Sequence, residues 1–304
     1  MELSLIGDSG HTIFLAAQVL KRYNPKVYLT GKLENSHRSI LRCRDPKMLN
    51  ELKIPYEEIK ISKGIIYNNQ FLTECNLKLN NIYSQKVNKG VVRGKSILNI
   101  KDDIRYQPSG DMFELLTKGI EYNENVNWKD IIHSNKLIAS CLDINQVMKE
   151  LNINNIYEYG KHFKIWIVTV DILEDIGIYQ TLYYLGSEPY YRVSLEMRKL
   201  TVEFIQDPFE FDMNDLEKIL LDFGINAKID RSSIILSGME YGKMVNMQDN
   251  LRKGVIGYLT EKYNIFSFGR KGLWKSILLE DVYEDLLKMK TLIDNKIHVL
   301  NLNL

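Results

Sequence analysis

The first residues whose types and spacing could do chemistry form a glycine-rich loop near the amino terminus. Gly7, Asp8, Ser9 and Gly10 lie between a strand predicted over residues 3–6 and a helix predicted directly after the loop. A helix amino terminus offers free N–H groups and the positive end of the helix dipole, and both favour a pyrophosphate. We therefore expect Gly7, Ser9 and Gly10 to bind the phosphates of a dinucleotide. The competing interpretation is an ordinary strand, turn and helix that needs glycine only to turn.

The spacing of this loop departs from the usual dinucleotide fingerprint. The three glycine positions of that fingerprint fall on Asp8, Gly10 and Ile13, so only one of them is glycine. Asp8 would bring a carboxylate toward two phosphates. Thr30 and Gly31 stand where an acidic residue normally holds a ribose hydroxyl. These positions leave open whether the chain retains a dinucleotide.

A second candidate site lies near the carboxyl terminus, in the sequence NIFSFGRKGLWK at residues 264–275. Its two glycines would let the backbone approach a ligand closely, and its arginine offers a forked cation to a phosphate. A last helix is predicted to begin directly after this segment, so the positive end of that helix suits a negatively charged group. The predicted cofactor-binding residues here are Gly269, Arg270, Gly272, Trp274 and Leu279.

Residues 264–275 resemble the GRxGxW segment near the end of the protoporphyrinogen oxidase, amine oxidase and UDP-galactopyranose mutase group of FAD proteins. The resemblance implies FAD as the cofactor, with the amino terminus of the last helix facing the flavin. Five further segments are similar to features of the group and occur in the expected order. They are residues 106–110 (YPxGG), 121–127 (the following strand), 137–142 (VISTxPL), 189–194 (FYRVS) and 234–245 (YAYP).

Candidate substrate-binding residues follow from the same resemblance. Tyr190 and Arg192 lie in the FYRVS-like strand, and Tyr241 lies in the YAYP-like stretch. Arg192 and Arg198 could bind an anionic substrate through forked hydrogen bonds if both occupy strand positions that face the cofactor. A solvated sheet face and an ordinary aromatic core are the alternative interpretations.

The hydrophobic pattern predicts an α/β fold in which two domains are interleaved. A βαβ opening, with a strand over residues 27–29, indicates a parallel sheet. The resemblance implies that this sheet belongs to a Rossmann-like FAD/NAD(P)-binding domain. Residues 165–172, 180–185 and 192–197 read as strands of a mainly antiparallel sheet in an α+β substrate domain, and residues 59–67 read as a hairpin around Lys63 and Gly64. The predicted cofactor domain comprises residues 1–75, 100–148 and 235–304. The predicted substrate or cap domain comprises residues 76–99 and 149–234.

The composition excludes several classes of function. The 304 residues carry a formal net charge of +1, so no long-range attraction to nucleic acid is expected. Three cysteines that lie far apart predict neither a structural zinc site nor a disulfide framework. No apolar run reaches the length of a membrane-spanning helix, and a cytoplasmic location is expected. The expected partner is a small-molecule substrate, and a homo-oligomer is compatible with the sequence.

The leading functional hypothesis is an FAD-dependent oxidoreductase acting on an unidentified small substrate. No nucleophile with a nearby base and no hydrolase or Walker motif is present, so the catalytic residues are left unassigned. One alternative is a nucleotide-sugar flavoenzyme similar to UDP-galactopyranose mutase. The other is a degenerate, non-catalytic relative that serves as a binding or assembly module, for which Asp8, Ile13 and the Thr30–Gly31 pair are the evidence.

Overall fold

The computed structural model describes residues 2–8, 10–32, 41–87, 98–134, 136–153, 162–244 and 248–302. The chain divides into two compact units, each built from separate stretches of sequence. The first unit comprises Met1–Glu57, Tyr106–Gly160 and Asn246–Leu304, and the second comprises Glu58–Arg105 and Lys161–Val245. The α/β class with a parallel sheet, predicted from the sequence, is confirmed.

The first unit is built on a parallel sheet of five strands with the order β13, β7, β1, β2, β6. Every residue of β1, β7 and β13 is buried, as expected for parallel strands with both faces covered. The strands are β1 Leu3–Gly7, β2 Lys26–Leu29, β6 Tyr122–Asn123, β7 Leu137–Ser140 and β13 Ile265–Ser267. The helices are α1 Gly10–Val19, α2 Lys47–Glu51, α4 Met112–Thr117, α5 Trp128–Ile132, α6 Ile144–Glu150, α8 Asp249–Tyr263, α9 Gly269–Gly272 and α10 Leu279–Leu302.

The second unit is built on a sheet with the path β12, β8, β11, β10, β9, β3, β4, with β5 also paired to β3. Every pairing along this path is antiparallel except the parallel pairing of β3 with β9. The strands are β3 Tyr56–Tyr67, β4 Gln70–Leu72, β5 Asp103–Pro108, β8 His162–Ile172, β9 Tyr179–Tyr184, β10 Tyr190–Glu196, β11 Lys199–Phe204 and β12 Ile229–Met244. The helices are α3 Leu77–Val87 and α7 Asp215–Leu221.

Each unit has its own hydrophobic core. In the first, α1 buries Ile13, Phe14, Ala16 and Ala17 against the parallel sheet, because its apolar residues cover nearly every side of a short helix. In the second, α7 buries Leu216, Ile219 and Leu220 in a core cluster that also contains Val193 of β10 and Val202 of β11.

The prediction of a hairpin around Lys63 and Gly64 was wrong. The two residues lie inside one continuous strand, β3. A Cβ at Gly64 would collide with the ring of Phe71 on the neighbouring strand, so this exposed ring would have to move to admit a larger residue. A glycine inside a strand therefore marked a close side-chain approach here and no turn.

Several boundaries of the units differ from the domain ranges drawn from the sequence. Residues 58–75 and 235–245 were placed in the cofactor domain, whereas they belong to the second unit. The reason is that β3 and β12 are long strands of the second sheet, and residues of a strand stay with their pairing partners. The assignment of one unit to cofactor and the other to substrate stays a prediction.

The described part of the chain contains neither a membrane-spanning helix nor a cluster of metal-ligating side chains. None of its helices is both long enough and apolar enough to span a membrane. No group of three or more histidine, cysteine, aspartate or glutamate side chains lies within it in an arrangement that could hold a metal ion.

Candidate functional site

The loop after β1 and the turn after β13 lie at the same edge of the parallel sheet. Because Ile6 of β1 is opposite Ser140 of β7, and Ser140 is opposite Ser267 of β13, the carboxyl ends of these strands are in register. The next residues continue the hydrogen bonding, with the Cys141 amide donating to the Ile6 carbonyl at 2.9 Å. In parallel sheets this edge is where ligands bind.

The glycine loop itself is packed tightly against the protein. A Cβ on Gly7 would collide with the Cys141 sulfur, and a Cβ on Gly10 would lie 2.7 Å from Cε2 of Phe113. Phe113 also packs edge-on against Phe14, with ring centroids 6.0 Å apart. Both glycines are therefore required for internal packing. Ser9, the third loop residue predicted to bind phosphate, lies outside the described residues.

The third position of the glycine fingerprint is part of the core. Ile13 is completely buried and belongs to the hydrophobic cluster between α1 and the sheet. In the usual fingerprint a glycine at this position lets the helix pack closely on the strand. Here an isoleucine fills the same space with apolar atoms.

The turn that carries the predicted Gly269, Arg270 and Gly272 forms the short helix α9. Gly269 has φ +73°, and a Cβ on it would lie 2.7 Å from Cγ2 of Thr12 in the first turn of α1. A Cβ on Gly272 would lie 2.8 Å from the backbone oxygen of Ser140. The two segments that the sequence singled out at opposite ends of the chain are thus in direct contact.

An ion pair also joins these two segments. The Lys271 ammonium lies 2.7 Å from Oδ2 of Asp8. The two side chains are 22% and 36% exposed, so the pair borders solvent at the edge of the sheet. Lys271 was not among the residues predicted from the sequence. The sequence shows a second cation, Lys271, beside Arg270, but only the packing of α9 shows that this cation faces Asp8.

Trp274 and Leu279 have different environments. Trp274 is completely buried, whereas Leu279 is partly buried at the first residue of α10. The first turn of α10 contains Glu280 and Asp281, which form ion pairs with Arg44 at 2.8 Å and 2.6 Å. Protein carboxylates therefore already meet the positive end of this helix dipole.

The end of β2 lies beside the glycine loop. The Thr30 amide donates to the Gly7 carbonyl at 3.1 Å, which ties this end to the loop. Among the described residues, no heavy atom lies within 4 Å of a Cβ placed on Gly31. This is the position where a ribose hydroxyl is normally held, and no carboxylate occupies Thr30 or Gly31.

In the second unit, the candidate Arg192 has a partner within the protein. Its Nε and Nη2 both donate to Oε1 of Glu203, the Nε bond being 2.8 Å long, and the Tyr191 hydroxyl donates to the other oxygen. Burial raises the pKa of Glu203, but the positive charges of Arg192 and Lys243 and the hydrogen bonds from Arg192 and Tyr191 together outweigh burial and leave that pKa below its ordinary value. Burial and then the Glu203 charge raise the pKa of Tyr191, so its hydroxyl keeps its proton.

The other predicted substrate residues are also bonded or packed internally. Tyr190 packs edge-on against Tyr184, Phe204 and Phe211, with ring centroids 4.7 to 6.0 Å apart. Arg198 donates from Nη2 to the Leu173 carbonyl at 3.2 Å. The side chain of Tyr241 lies outside the described part of the chain. A role for these residues in binding a substrate stays a prediction.

Comparisons with known proteins give similarities of structure only. No protein-family model and no curated protein sequence matches this chain. A solved oxidoreductase from Methanosarcina mazei is similar with a TM-score of 0.59 at 9% identity, covering 96% of this chain and 100% of that one. This is a similarity of fold.

Two further solved structures are described as flavin proteins. A protein described as an FAD-containing monooxygenase from Photorhabdus luminescens gives a TM-score of 0.49 at 11% identity, covering 97% of this chain and 89% of that one. A flavoprotein/dehydrogenase from Cytophaga hutchinsonii gives 0.40 at 12% identity, covering 79% of this chain and 66% of that one. The structural neighbours thus include proteins described as containing or using a flavin.

Proposed function

We propose that this chain is a flavoprotein of the oxidoreductase class that binds FAD in a Rossmann-like first unit. The observation that carries the proposal is the contact of the turn 269–272 with Asp8 and with Thr12 in the first turn of α1, at the carboxyl edge of the parallel sheet. The fold similarity to an oxidoreductase supports it. Membership of the protoporphyrinogen oxidase, amine oxidase and UDP-galactopyranose mutase group is part of the same proposal and has its support in the sequence segments.

The residues at this edge can hold an anionic dinucleotide. α1 begins at Gly10, so the positive end of its dipole lies at the loop that would receive the phosphates. The Asp8 carboxylate is balanced by Lys271, so the loop is not left with an uncompensated negative charge. The open space beside Gly31 suits a ribose near the end of β2. Gly7 and Gly10 serve the packing of the loop and leave binding to its amides.

FAD, when bound, supplies the hydride or electron chemistry. The protein's own residues then bind and orient the cofactor and exclude water. Arg192 and Glu203 form an ion pair whose charges cancel, and Tyr191 keeps its proton. These groups therefore stabilise the sheet and do not supply a free base for catalysis. The catalytic residues stay unassigned.

One observation favours the second candidate, a relative that keeps the fold without the cofactor. The ring of Phe113 occupies the space beside Gly10, where the usual fingerprint lets the backbone approach a pyrophosphate. No structural observation favours the nucleotide-sugar alternative, which stays a prediction from the sequence.

The absorption spectrum of the purified chain separates the two candidates. We expect flavin absorbance bands in the protein as purified or after incubation with FAD and removal of the excess. Extraction of the ligand by heat, followed by chromatography, should identify FAD.

Replacing Gly31 with Ala, which the fold has room for, should weaken FAD binding because the methyl group enters the ribose space.

The matched control is Gly254→Ala on α8, a second glycine with open space around it, and it should leave FAD binding unchanged. A protein that remains colourless and takes up no FAD from solution would end the flavoprotein proposal in favour of the cofactor-free relative.

A further inference from the structure

Asp8 stands at the first glycine position of the loop that the proposed function assigns to the pyrophosphate. Its carboxylate lies two residues before the start of α1, and its side chain is 36% exposed. A carboxylate beside two phosphates repels them. A chain that binds FAD at this loop therefore needs a cation that offsets the charge of Asp8.

Lys271 is held where it can provide that cation. Its Nζ lies 2.7 Å from Oδ2 of Asp8, and its side chain is 22% exposed. The neighbouring glycines fix the turn, because Gly269 contacts Thr12 on α1 and Gly272 contacts the Ser140 backbone on β7. The ammonium thus comes from a segment that is 263 residues away in sequence and packed against α1 and β7.

We propose that Lys271 is a determinant of dinucleotide affinity that acts by neutralising Asp8 at the pyrophosphate position. The inference rests on the proposed function, since it concerns the same loop. In this view, Lys271 compensates within the chain for the loss of the first glycine of the fingerprint. Asp8 weakens pyrophosphate binding, and Lys271 restores it.

The two residues should therefore affect affinity in opposite directions. Lys271→Met leaves the Asp8 carboxylate uncompensated, so the Kd for FAD should rise by about three- to tenfold, the range expected of one partly exposed charge pair. Asp8→Asn removes the repelling charge and should lower the Kd by a similar factor. The double variant should return close to the wild-type Kd. Lys271→Arg keeps the cation and should bind nearly as the wild type does.

Calorimetric titration with three ligands tests the location of the effect. FAD and ADP contain the pyrophosphate and should show the opposite shifts, whereas riboflavin contains no phosphate and should show none. Lys275→Met is the matched control, because Lys275 lies exposed in the same segment and forms no ion pair with the described residues. Thermal unfolding of each ligand-free variant verifies that it is folded before titration.

The outcomes separate this inference from the proposed function. If the wild type binds neither FAD nor ADP, both fail. If the wild type binds FAD but the two single variants shift its Kd in the same direction, or shift riboflavin binding equally, the ion pair is only structural and the role of Lys271 is refuted. The flavoprotein proposal then stands. Should Lys271→Met fail to fold, Lys271→Gln takes its place in the same titrations, and the same criterion applies to it.

Discussion

At the scale of single residues, the glycines that the sequence singled out turn out to be positions where backbone and side chains approach closely. Gly7, Gly10, Gly269 and Gly272 each face a neighbouring group at a distance that leaves no room for a Cβ. This packing explains why glycine occupies each of the four positions, whether or not a ligand is bound. The residue pair that bears most directly on a ligand, Asp8 and Lys271, had no glycine signal to mark it.

Replacing Gly272 with Ala should destabilise the first unit. The added Cβ would lie 2.8 Å from the Ser140 backbone oxygen, which cannot move without disturbing β7. We expect a loss of about 1–3 kcal/mol in the free energy of unfolding, measured by urea denaturation. Gly254→Ala on α8 is the control and should be neutral or slightly stabilising. Equal stability of the two variants would contradict this account of α9 packing.

At the scale of secondary-structure elements, α4 places an aromatic ring beside the glycine loop. The Asp111 side chain accepts a hydrogen bond from the Phe113 amide at 2.8 Å, which caps this six-residue helix. α4 then directs Phe113 against Gly10 and α1. An aspartate cap is a local feature that a sequence can indicate. The position of the Phe113 ring cannot be predicted in this way, because it depends on where α4 packs.

Phe113→Ala should change stability and ligand binding in opposite directions. Loss of the half-buried ring should lower the free energy of unfolding by about 1–2 kcal/mol, because its packing against Phe14 and Gly10 is removed. The opened space beside Gly10 should tighten FAD binding, as measured by calorimetry. Phe209→Ala, at a side chain that is 92% exposed, is the control and should alter neither quantity. Weaker FAD binding in the Phe113 variant would show that the ring supports the site.

At the scale of the whole molecule, the two units have different kinds of interior. The first unit is held mainly by apolar side chains between its helices and the parallel sheet. The second contains, beside its apolar core, the Tyr191, Arg192 and Glu203 group on neighbouring strands β10 and β11. Because Glu203 is 4% exposed, loss of its charge matters more than loss of a surface carboxylate.

The second unit should therefore be the more sensitive to acid. The pKa of Glu203 is lower in the folded protein than its ordinary value near 4.3, so its charge contributes stability above that value. This contribution falls as the pH drops through the folded-state pKa. We expect hydrogen exchange, followed by mass spectrometry during acidification, to show β10 and β11 losing protection in the wild type.

Glu203→Gln tests the cause of this acid sensitivity. It should lower stability at neutral pH, because Arg192 loses its charged partner, and it should flatten the pH dependence of β10 and β11. Glu58→Gln, at an exposed strand position, is the control and should keep the wild-type profile. An unchanged profile in Glu203→Gln would assign the acid sensitivity to other groups.

Local patterns in the sequence were sufficient for the βαβ opening and for β8, β9 and β10 of the second sheet, whereas β11 was not predicted. Apolar runs of strand length and helical spacing act over a few residues, so they survive without knowledge of the rest of the chain. The same patterns marked both segments of the candidate site. The patterns were wrong at Gly64, which was predicted to lie in a turn and lies within β3. They also missed α3, because its polar sequence has little apolar periodicity.

Only the tertiary structure decided which residues of the two segments meet. The contact of Gly269 with Thr12, the ring of Phe113 beside Gly10 and the pairing of Lys271 with Asp8 all join residues that are distant in sequence. The same holds for Arg192, which was predicted to bind a ligand and instead pairs with Glu203 on the next strand. Such contacts depend on strand register and helix packing, and neither quantity is encoded in any short stretch of the chain.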